Sequence, residues 1–316
     1  MKTLLSSINL VIECRDYRVP LTSRNPLFEE SLAGKERLLV YTKRDLGSEE
    51  SEPDAQREHR LRQFHAPEKV VFSSHKSQPS VKRLLQYFKE HANGSASLTG
   101  TRLLVVGMPN VGKSSLLNAL RAVGLNKGKV AHTGAQPGIT RKIASSVKIV
   151  DGSQLHGGDG EGIYLLDTPG VFIPYVPDAE AMLKLALCGL VKDTVIAPVT
   201  LADYLLYRIN LMMPDLYREY HTPTNDIMVL LSAIAQKTGR LQRGGLPDTE
   251  ACALWMIQRW RAGHLGHFVL DDVSEEALVE EKRKIKAGSS LSMNQAKKSE
   301  KEVQRARSKN RLKAAG

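Results

Sequence analysis

The sequence predicts an α/β protein: a mostly parallel sheet carrying a phosphate-binding loop, then a small helical domain, then a basic tail. Three observations carry this. Up to residue 170, short apolar and β-branched runs alternate with segments of helical spacing, the pattern of a parallel sheet covered by helices. One strand–loop–helix junction reads GMPNVGKS (107–114), which is GxxxxGK[ST]. Between 177 and 263 the apolar spacing becomes purely helical. Beyond it, residues 282–316 carry twelve Lys/Arg against Glu300 and Glu302, so ten of the eleven net positive charges lie there.

Taken in order, INLVIECRD (8–16) reads as a buried strand, and no Arg-rich leader or apolar signal core precedes it. RVPLTSRNPLFEESL (18–32) has Pro and Asn punctuation and then a short helix-like pattern. RLLVYTKRDLG (37–47) is a second strand ending in a polar turn, and residues 48–66 are a charged surface helix or loop. KVVFSSHKS (69–77) is a third strand, PSVKRLLQYFKEHA (79–92) an amphipathic helix, and NGSASLTG (93–100) a linker into the strand TRLLVV. After the phosphate loop and its helix comes the polar loop KVAHTGAQPGITRK (129–142). ASSVKIV (144–150) and GIYLLDTPG (162–170) then form a hairpin around a Gly-rich turn. Four helices are expected at 177–191, 200–213, 225–239 and 248–263, each with a polar start. Their apolar faces form a bundle core; an RNA-binding surface is the other use, and Lys237, Arg240, Arg243, Arg259 and Arg261 are available for it.

The chemistry sits at strand ends. Gly107 and Gly112 let the loop turn tightly so that N–H groups face phosphate oxygens, and the following helix adds its positive end. Lys113 reaches the β- and γ-phosphates, and the Ser114 hydroxyl takes Mg²⁺. Asp167 closes its strand as Asp-x-x-Gly: its carboxylate can hold a water on Mg²⁺, and the Gly170 N–H can bond the γ-phosphate. Thr140 is the candidate to close over the ion. In TKRD (42–45), Asp45 can accept both the N1–H and N2–H₂ of guanine, donors that adenine lacks there, while the Lys43 stem covers the base plane. Ser73 and Ser74 supply short polar contacts to the guanine carbonyl. Alone, TKRD reads equally well as a surface charge cluster.

Composition bounds the rest. No apolar run is long enough to span a bilayer, and aromatics are 5%, so base-stacking platforms are not advertised. Cys14, Cys188 and Cys252 match no metal spacing and suit a reducing compartment as core residues. His264 and His267 have the spacing of a metal pair but no further ligands nearby, which makes an ordinary turn the better reading. The tail attracts RNA or an anionic membrane surface, or is a solvated end.

The signatures YTKRD, VVFSSH, GMPNVGKSSLLN, TGAQPGITR and LLDTPGVF are those of GTP-binding proteins in permuted order, with the base-reading turns ahead of the phosphate loop. Over residues 8–270 the chain resembles the circularly permuted ribosome-assembly GTPases. RDYRVPLTSRNP is similar to that family's opening segment, and DTPGVFIPYV to its mitochondrial ribosome-associated branch. The resemblance implies a circularly permuted GTPase domain (1–175), a helical RNA- or ribosome-binding domain (176–272) and a disordered or helical tail (273–316). It implies Mg²⁺-dependent hydrolysis of GTP to GDP and phosphate. Thr42, Lys43, Asp45, Ser73 and Ser74 would hold the base. Asn110, Val111, Gly112, Lys113, Ser114, Ser115 and Gly170 would hold the phosphates, with Ser114, Thr140 and Asp167 at the switch and metal. The implied partners are the large mitochondrial ribosomal subunit and its rRNA, in support of mitochondrial translation. The implied location is the matrix, with peripheral association at the inner membrane as an option.

Two departures stand out. Val171 follows Asp-x-x-Gly where many GTPases carry a water-orienting Gln, which leaves the catalytic group unassigned. In the resembled family an Asn at the Asn110 position is associated with K⁺ at the phosphates. Relatives also have an N-terminal segment with a His ahead of the first strand, which is expected, with any mitochondrial leader, to lie outside this sequence. The competing readings are a GTP-dependent RNA-binding module with little intrinsic hydrolysis, and a P-loop kinase, which fits poorly with the guanine-reading turn.

Overall fold

The computed structural model describes residues 6–26, 29, 32, 34–94, 100–128, 146–155, 162–167 and 175–286. Six strands are present among them: β1 (Leu10–Asp16), β2 (Arg37–Thr42), β3 (Lys69–Phe72), β4 (Thr101–Gly107), β5 (Val147–Val150) and β6 (Ile163–Asp167). They form one sheet in the order β3-β2-β1-β4-β6-β5, parallel except for β5, which pairs antiparallel with β6 as the hairpin reading expects. The chain runs outward from β1 through β2 to β3, then returns to place β4 on the other side of β1. Strand order therefore reverses between β1 and β4, and in such sheets the ligand crevice opens at the carboxyl ends beside that reversal.

Strand alternation builds the two faces. Leu10, Ile12 and Cys14 of β1 join Leu38, Val40, Leu103 and Val105 in the main core, whereas Val11 packs with Leu104 and Val106 on the opposite face. β1 is the centre of the sheet, yet it buries Glu13, Arg15 and Asp16. Buried charges persist when they are paired. Glu13 accepts from Arg15 (2.7 Å) and Arg37 (2.8 Å), and Arg15 also reaches Glu29 (3.0 Å).

Three helices flank the sheet: α1 (Glu52–His65), α2 (Gln78–Asn93) and α3 (Lys113–Leu125). The segment 48–66, open between helix and loop in sequence, is a helix because Ser51 and Asp54 form a capping box and Leu61 and Phe64 bury one face. Four more follow: α4 (Ala179–Leu187), α5 (Pro198–Met212), α6 (Ile227–Thr238) and α7 (Thr249–Ala262). Asp178, Asp226 and Asp248 cap α4, α6 and α7 with side-chain acceptors. α4 is shorter than the apolar pattern, since Gly189 at φ +73° turns the chain and the Leu190 N–H closes back on the Leu185 carbonyl (2.9 Å).

The helices are not a separate body hung on the sheet. One core runs from β1, β4 and α3 through Leu185, Leu205, Ile234 and Trp260 to Leu270. Past α7 the chain crosses back to the first domain. The Leu270 N–H donates to the Arg18 carbonyl (2.7 Å), and buried Asp271 accepts from the Leu21 and Thr22 amides (2.8 Å each) and the Thr22 hydroxyl (2.5 Å). Val269, Val273 and Leu278 join Tyr17, Tyr41, Phe64 and Phe72 in a second cluster. Leu278 belongs to α8 (Glu275–Lys286), so the start of the basic tail is helical and packed. Residues 287–316 lie outside the described residues.

Candidate nucleotide site

The loop between β4 and α3 needs its glycines for two different reasons. A Cβ on Gly107 would stand 2.4 Å from the Cys14 carbonyl oxygen of β1, so the close approach of the two central strands admits no side chain. Gly112 caps α3 at φ +103°, a conformation that L side chains rarely adopt. Between them Asn110 also takes a left-handed conformation (φ +57°). Lys113 is buried, and its ammonium donates to the carbonyls of Gly107 (2.9 Å) and Met108 (2.7 Å), drawing the loop around itself. Ser114 and Ser115 occupy the first turn of α3, at the positive end of the helix.

The turn expected to read the base follows β2. Lys43 lies in the left-handed region (φ +55°) and starts a short 3₁₀ turn, Arg44–Leu46. The turn is pinned to β3 by the Arg44 amide on the Ser73 carbonyl (3.2 Å). The Thr42 hydroxyl stands within reach of the Arg15 carbonyl (3.0 Å) and of the Val111 carbonyl in the phosphate loop, so both loops share a contact. Lys76 pairs with one oxygen of Asp45 (3.1 Å); the other, Oδ1, is buried and has no partner among the described residues. Burial pushes the Asp45 carboxyl up, but Ser74 and Lys76 outweigh it and hold it below the usual carboxylate range. It is therefore an anion at neutral pH, with an acceptor to offer.

These pieces meet in one cavity of about 210 Å³. Thr42, Lys43, Asp45, Ser73, His75 and Lys76 line one side, Gly112, Ser115 and Leu116 another, and Arg261 of α7 closes it from the helical domain. Ser74 is not among the lining residues; its hydroxyl accepts the Lys76 amide (3.2 Å) and shapes the turn.

Beneath the cavity lies a charge network that the sequence did not announce. Asp16, at the carboxyl end of β1, is fully buried. It takes both a guanidinium fork from Arg18 (3.0 and 2.8 Å) and the Lys43 ammonium (2.9 Å). Burial pushes the Asp16 carboxyl up, but Arg18 and Lys43 hold it well below the usual range. Burial also lowers Lys43, against the pull of Asp16. Lys43 donates further to the Asn110 carbonyl (2.6 Å), tying the base-reading turn to the phosphate loop.

The same network grips the end of α4. The final carbonyls of a helix have no partner within it. Here Arg261 takes those of Ala186 (2.7 Å) and Leu187 (2.9 Å), Arg18 takes that of Cys188 (3.2 Å), and the Asn110 amide nitrogen takes that of Gly189 (2.9 Å). Four successive carbonyls are thus held by three side chains around the site. Asn110, expected as a K⁺ ligand, commits its amide nitrogen to the helical domain; the oxygen of that amide is the atom a cation would take.

Thr140, Gly170 and Val171 lie outside the described residues, as does the side chain of Asp167. The backbone of Asp167 ends β6, opposite Val105 of β4, which points it toward the same edge of the sheet as the loop. A hydroxyl at Ser114 and a carboxylate at position 167 would together be an oxygen donor set, the kind that fits a hard cation such as Mg²⁺. The His264 amide donates to the Arg259 carbonyl (2.9 Å), and among the described residues no group of three His, Cys, Asp or Glu is placed to hold a metal. Of the residues missed in sequence, Asp16 had a signal: it is an acidic residue closing a buried strand, as Asp167 is. Arg261 had none, because its place follows only from the packing of α7 against α4.

Comparison with known proteins agrees with this geometry. A family model described as 50S ribosome-binding GTPase matches residues 102–230. The chain is 36% identical over 296 residues to Mitochondrial GTPase 1 of Schizosaccharomyces pombe, covering 88% of each chain. It is 35% identical over 292 residues to Mitochondrial ribosome-associated GTPase 1 of Xenopus tropicalis, covering 86% of this chain and 90% of that one. The crystal structure of GNP-bound YlqF from T. maritima superposes with a TM-score of 0.57 at 22% identity, covering 86% of this chain and 96% of that one, a likeness of fold. With the turn that carries Asp45 placed ahead of the phosphate loop in sequence and beside it in space, and with relatives matched over most of its length, this chain belongs to the mitochondrial GTPase 1 family of circularly permuted GTPases.

Proposed function

We propose that this GTPase binds the large subunit of the mitochondrial ribosome and assists its assembly, working in the mitochondrial matrix in support of translation there. The names of its relatives and the ribosome-binding family model support that partner. Any contact with the inner membrane is proposed as peripheral; among the described residues no helix is long and apolar enough to cross a membrane. We divide the chain functionally into the GTPase domain (1–175), the helical ribosome-facing domain (176–272) and the tail (273–316).

Within the site, Asp45 takes the two guanine donors, Lys43 covers the base, and Thr42, Ser73 and Ser74 shape its surroundings. Lys113 turns from the loop carbonyls to the β- and γ-phosphates, joined by Ser115, the backbone of Asn110, Val111 and Gly112, and the N–H of Gly170. Ser114 and Thr140 would hold Mg²⁺, with Asp167 holding a water on it, and the ion would neutralise phosphate charge when bound. The Asn110 amide oxygen is assigned to K⁺, in place of a glutamine at Val171. A cation held there by Asn110 would supply a preorganised positive charge beside the phosphates as the β–γ bond breaks.

The observation that carries the nucleotide reading is that Asp45, one of whose carboxylate oxygens is buried with no partner among the described residues, lines the same cavity as Gly112 and Ser115. An acceptor left unpaired in a buried site is costly, and a ligand donor relieves that cost. Asp45→Asn replaces an acceptor-only group with one that donates. GTP affinity should fall by about tenfold or more, about 1.4 kcal/mol, with preference moving to xanthine nucleotides; unchanged GTP-over-XTP preference in a titration would remove Asp45 from the base site. The partner is tested by sedimenting the tagged protein with mitochondrial ribosomal particles, where failure to travel with the large subunit counts against it.

A further inference from the structure

We propose that Arg261, carried by the helical domain, contacts the nucleoside half of the bound guanine nucleotide and slows its release. The proposal rests on the nucleotide reading of the cavity and adds to it a residue from outside the GTPase domain.

The lining of the cavity separates the two halves of a nucleotide. Arg261 shares it with Asp45 and Leu46 of the turn after β2 and with Ser73 and Lys76 after β3. Neither Lys113 nor Ser114 is among the lining residues, and the Lys113 ammonium lies instead on the Gly107 and Met108 carbonyls. The space beside Arg261 is therefore the nucleoside side of the site, away from the groups assigned to phosphate and metal. The end of α7 is seated against that side. Gly263, which caps α7, lies so close to the turn after β2 that a Cβ on it would stand 3.1 Å from the Leu46 Cδ2.

Arg261 is held in one conformation. Its Nε donates to the Leu187 carbonyl (2.9 Å), its Nη2 to the Ala186 carbonyl (2.7 Å) and Asp193 Oδ1 (2.7 Å), and its Nη1 to Asp193 Oδ2 (3.3 Å). A guanidinium has five N–H donors, so one N–H on Nη1 has no acceptor among the described residues. A free arginine loses rotamer freedom when it grips a ligand; here α4 and Asp193 fix the side chain beforehand, so a contact with the nucleotide costs little entropy. The spare N–H suits a ribose oxygen, and the planar cation suits a purine face. Both belong to the nucleoside, which GTP and GDP share. The same bonds tie the contact to the helical domain, because Arg261 stays in place only while α4 and α7 do. Truncating a contact of this kind shows mainly in the dissociation rate.

The test loads the full chain with tritiated GDP or labelled GTPγS, chases with excess unlabelled nucleotide and follows release by filter binding. Arg261→Gln should release both nucleotides about tenfold faster, the loss of one hydrogen bond to a charged group. KM for GTP should rise while the single-turnover rate at saturating GTP holds, the mark of a contact made equally in ground and transition states. Loosened packing alone would lower the urea unfolding midpoint and leave release at the wild-type rate. Asp193→Ala keeps both carbonyl bonds, and Asp193 does not line the cavity, so it reaches the nucleotide only through Arg261. It should speed release about threefold by itself and add nothing to Arg261→Gln. Wild-type release from Arg261→Gln, or from Asp193→Ala where the first variant does not fold, would overturn the proposal. An effect confined to GTPγS would put Arg261 at the phosphates and overturn it as well. The base reading fails separately: if Asp45→Asn keeps its preference for GTP over XTP while Arg261→Gln releases faster, Asp45 leaves the base site and Arg261 stays.

Discussion

Trp260 and Trp255 lie five residues apart on α7 and face opposite ways, and each carries arginine over its ring. Inside, the Arg18 guanidinium sits 4.9 Å from the Trp260 centroid with Asp16 bonded along its fork and the Cys188 carbonyl beside it. Outside, the guanidinium carbons of Arg240 and Arg259 lie 4.9 and 5.1 Å from the Trp255 centroid, and among the described residues neither has a carboxylate within ion-pair distance. The same pair of side-chain types therefore does opposite work. A buried cation is tolerable only when its charge is answered within the protein, so the inner cluster welds the first strand, the base-reading turn and the helical domain into one unit. A surface cation held in place and left unanswered is available to something outside.

Breaking the inner pair should have the largest effect. Asp16→Ala leaves Arg18 and Lys43 buried without their carboxylate, and removing one partner of a buried pair costs about 3–5 kcal/mol. Denaturant unfolding should show that loss, together with collapse of GTP affinity as Lys43 is released. A loss below about 1 kcal/mol would mean that the network is a surface ion pair in disguise.

A second effect is readable in pH. His65 lies beside Tyr41 with its ring tilted by 48°, and its Nε2 is 2.8 Å from the Tyr41 hydroxyl. Burial, then the charges of Arg15, Arg37 and Arg24, push it down to about 2. The folded state thus keeps it neutral while the unfolded chain takes a proton below about pH 6.5. Unfolding binds a proton, so stability falls as pH drops through that window; from pH 6.5 to 5 the loss is about 2 kcal/mol at most. His65→Gln should flatten this part of the stability–pH curve, measured by urea unfolding at pH 7.5, 6 and 5. A curve of unchanged steepness would show that His65 does not set it.

Asn110→Ala should cost less. It removes one hydrogen bond to Gly189, about 0.5–1.5 kcal/mol. Its diagnostic is catalytic: wild type should hydrolyse GTP faster in K⁺ than in Na⁺ at fixed ionic strength, and the variant should not, while GDP affinity is spared because the ion acts on the transition state. Equal wild-type rates in both salts would sink the potassium assignment and leave Asn110 as a tie to α4 alone.

The outer pair should matter least to stability. Arg240→Gln/Arg259→Gln removes two half-buried cation–π contacts of about 0.5–1 kcal/mol each and relieves their mutual repulsion, so the melting temperature should move by only a few degrees. A destabilisation matching that of Asp16→Ala would erase the contrast between the two tryptophans.

The sequence by itself determined the sheet and the positions of its loops. Alternating apolar runs, the glycines of GMPNVGKS and the turn after YTKRD fix local backbone, because strand period and left-handed turns are properties of short segments. The backbone of the phosphate loop and of the turn that carries Asp45 was legible for that reason. The elements after residue 177 were legible as helices, with α4 cut short by Gly189. Only the tertiary structure decided which side chains share a space. It placed Arg261 in the nucleotide cavity but Arg240 and Arg259 on the surface, although all three follow similar spacing near α7. It brought Asn110 to Gly189 across 79 positions, and Asp271 to Leu21 across 250. Such contacts depend on how finished elements pack, and no local pattern in the chain encodes the partner.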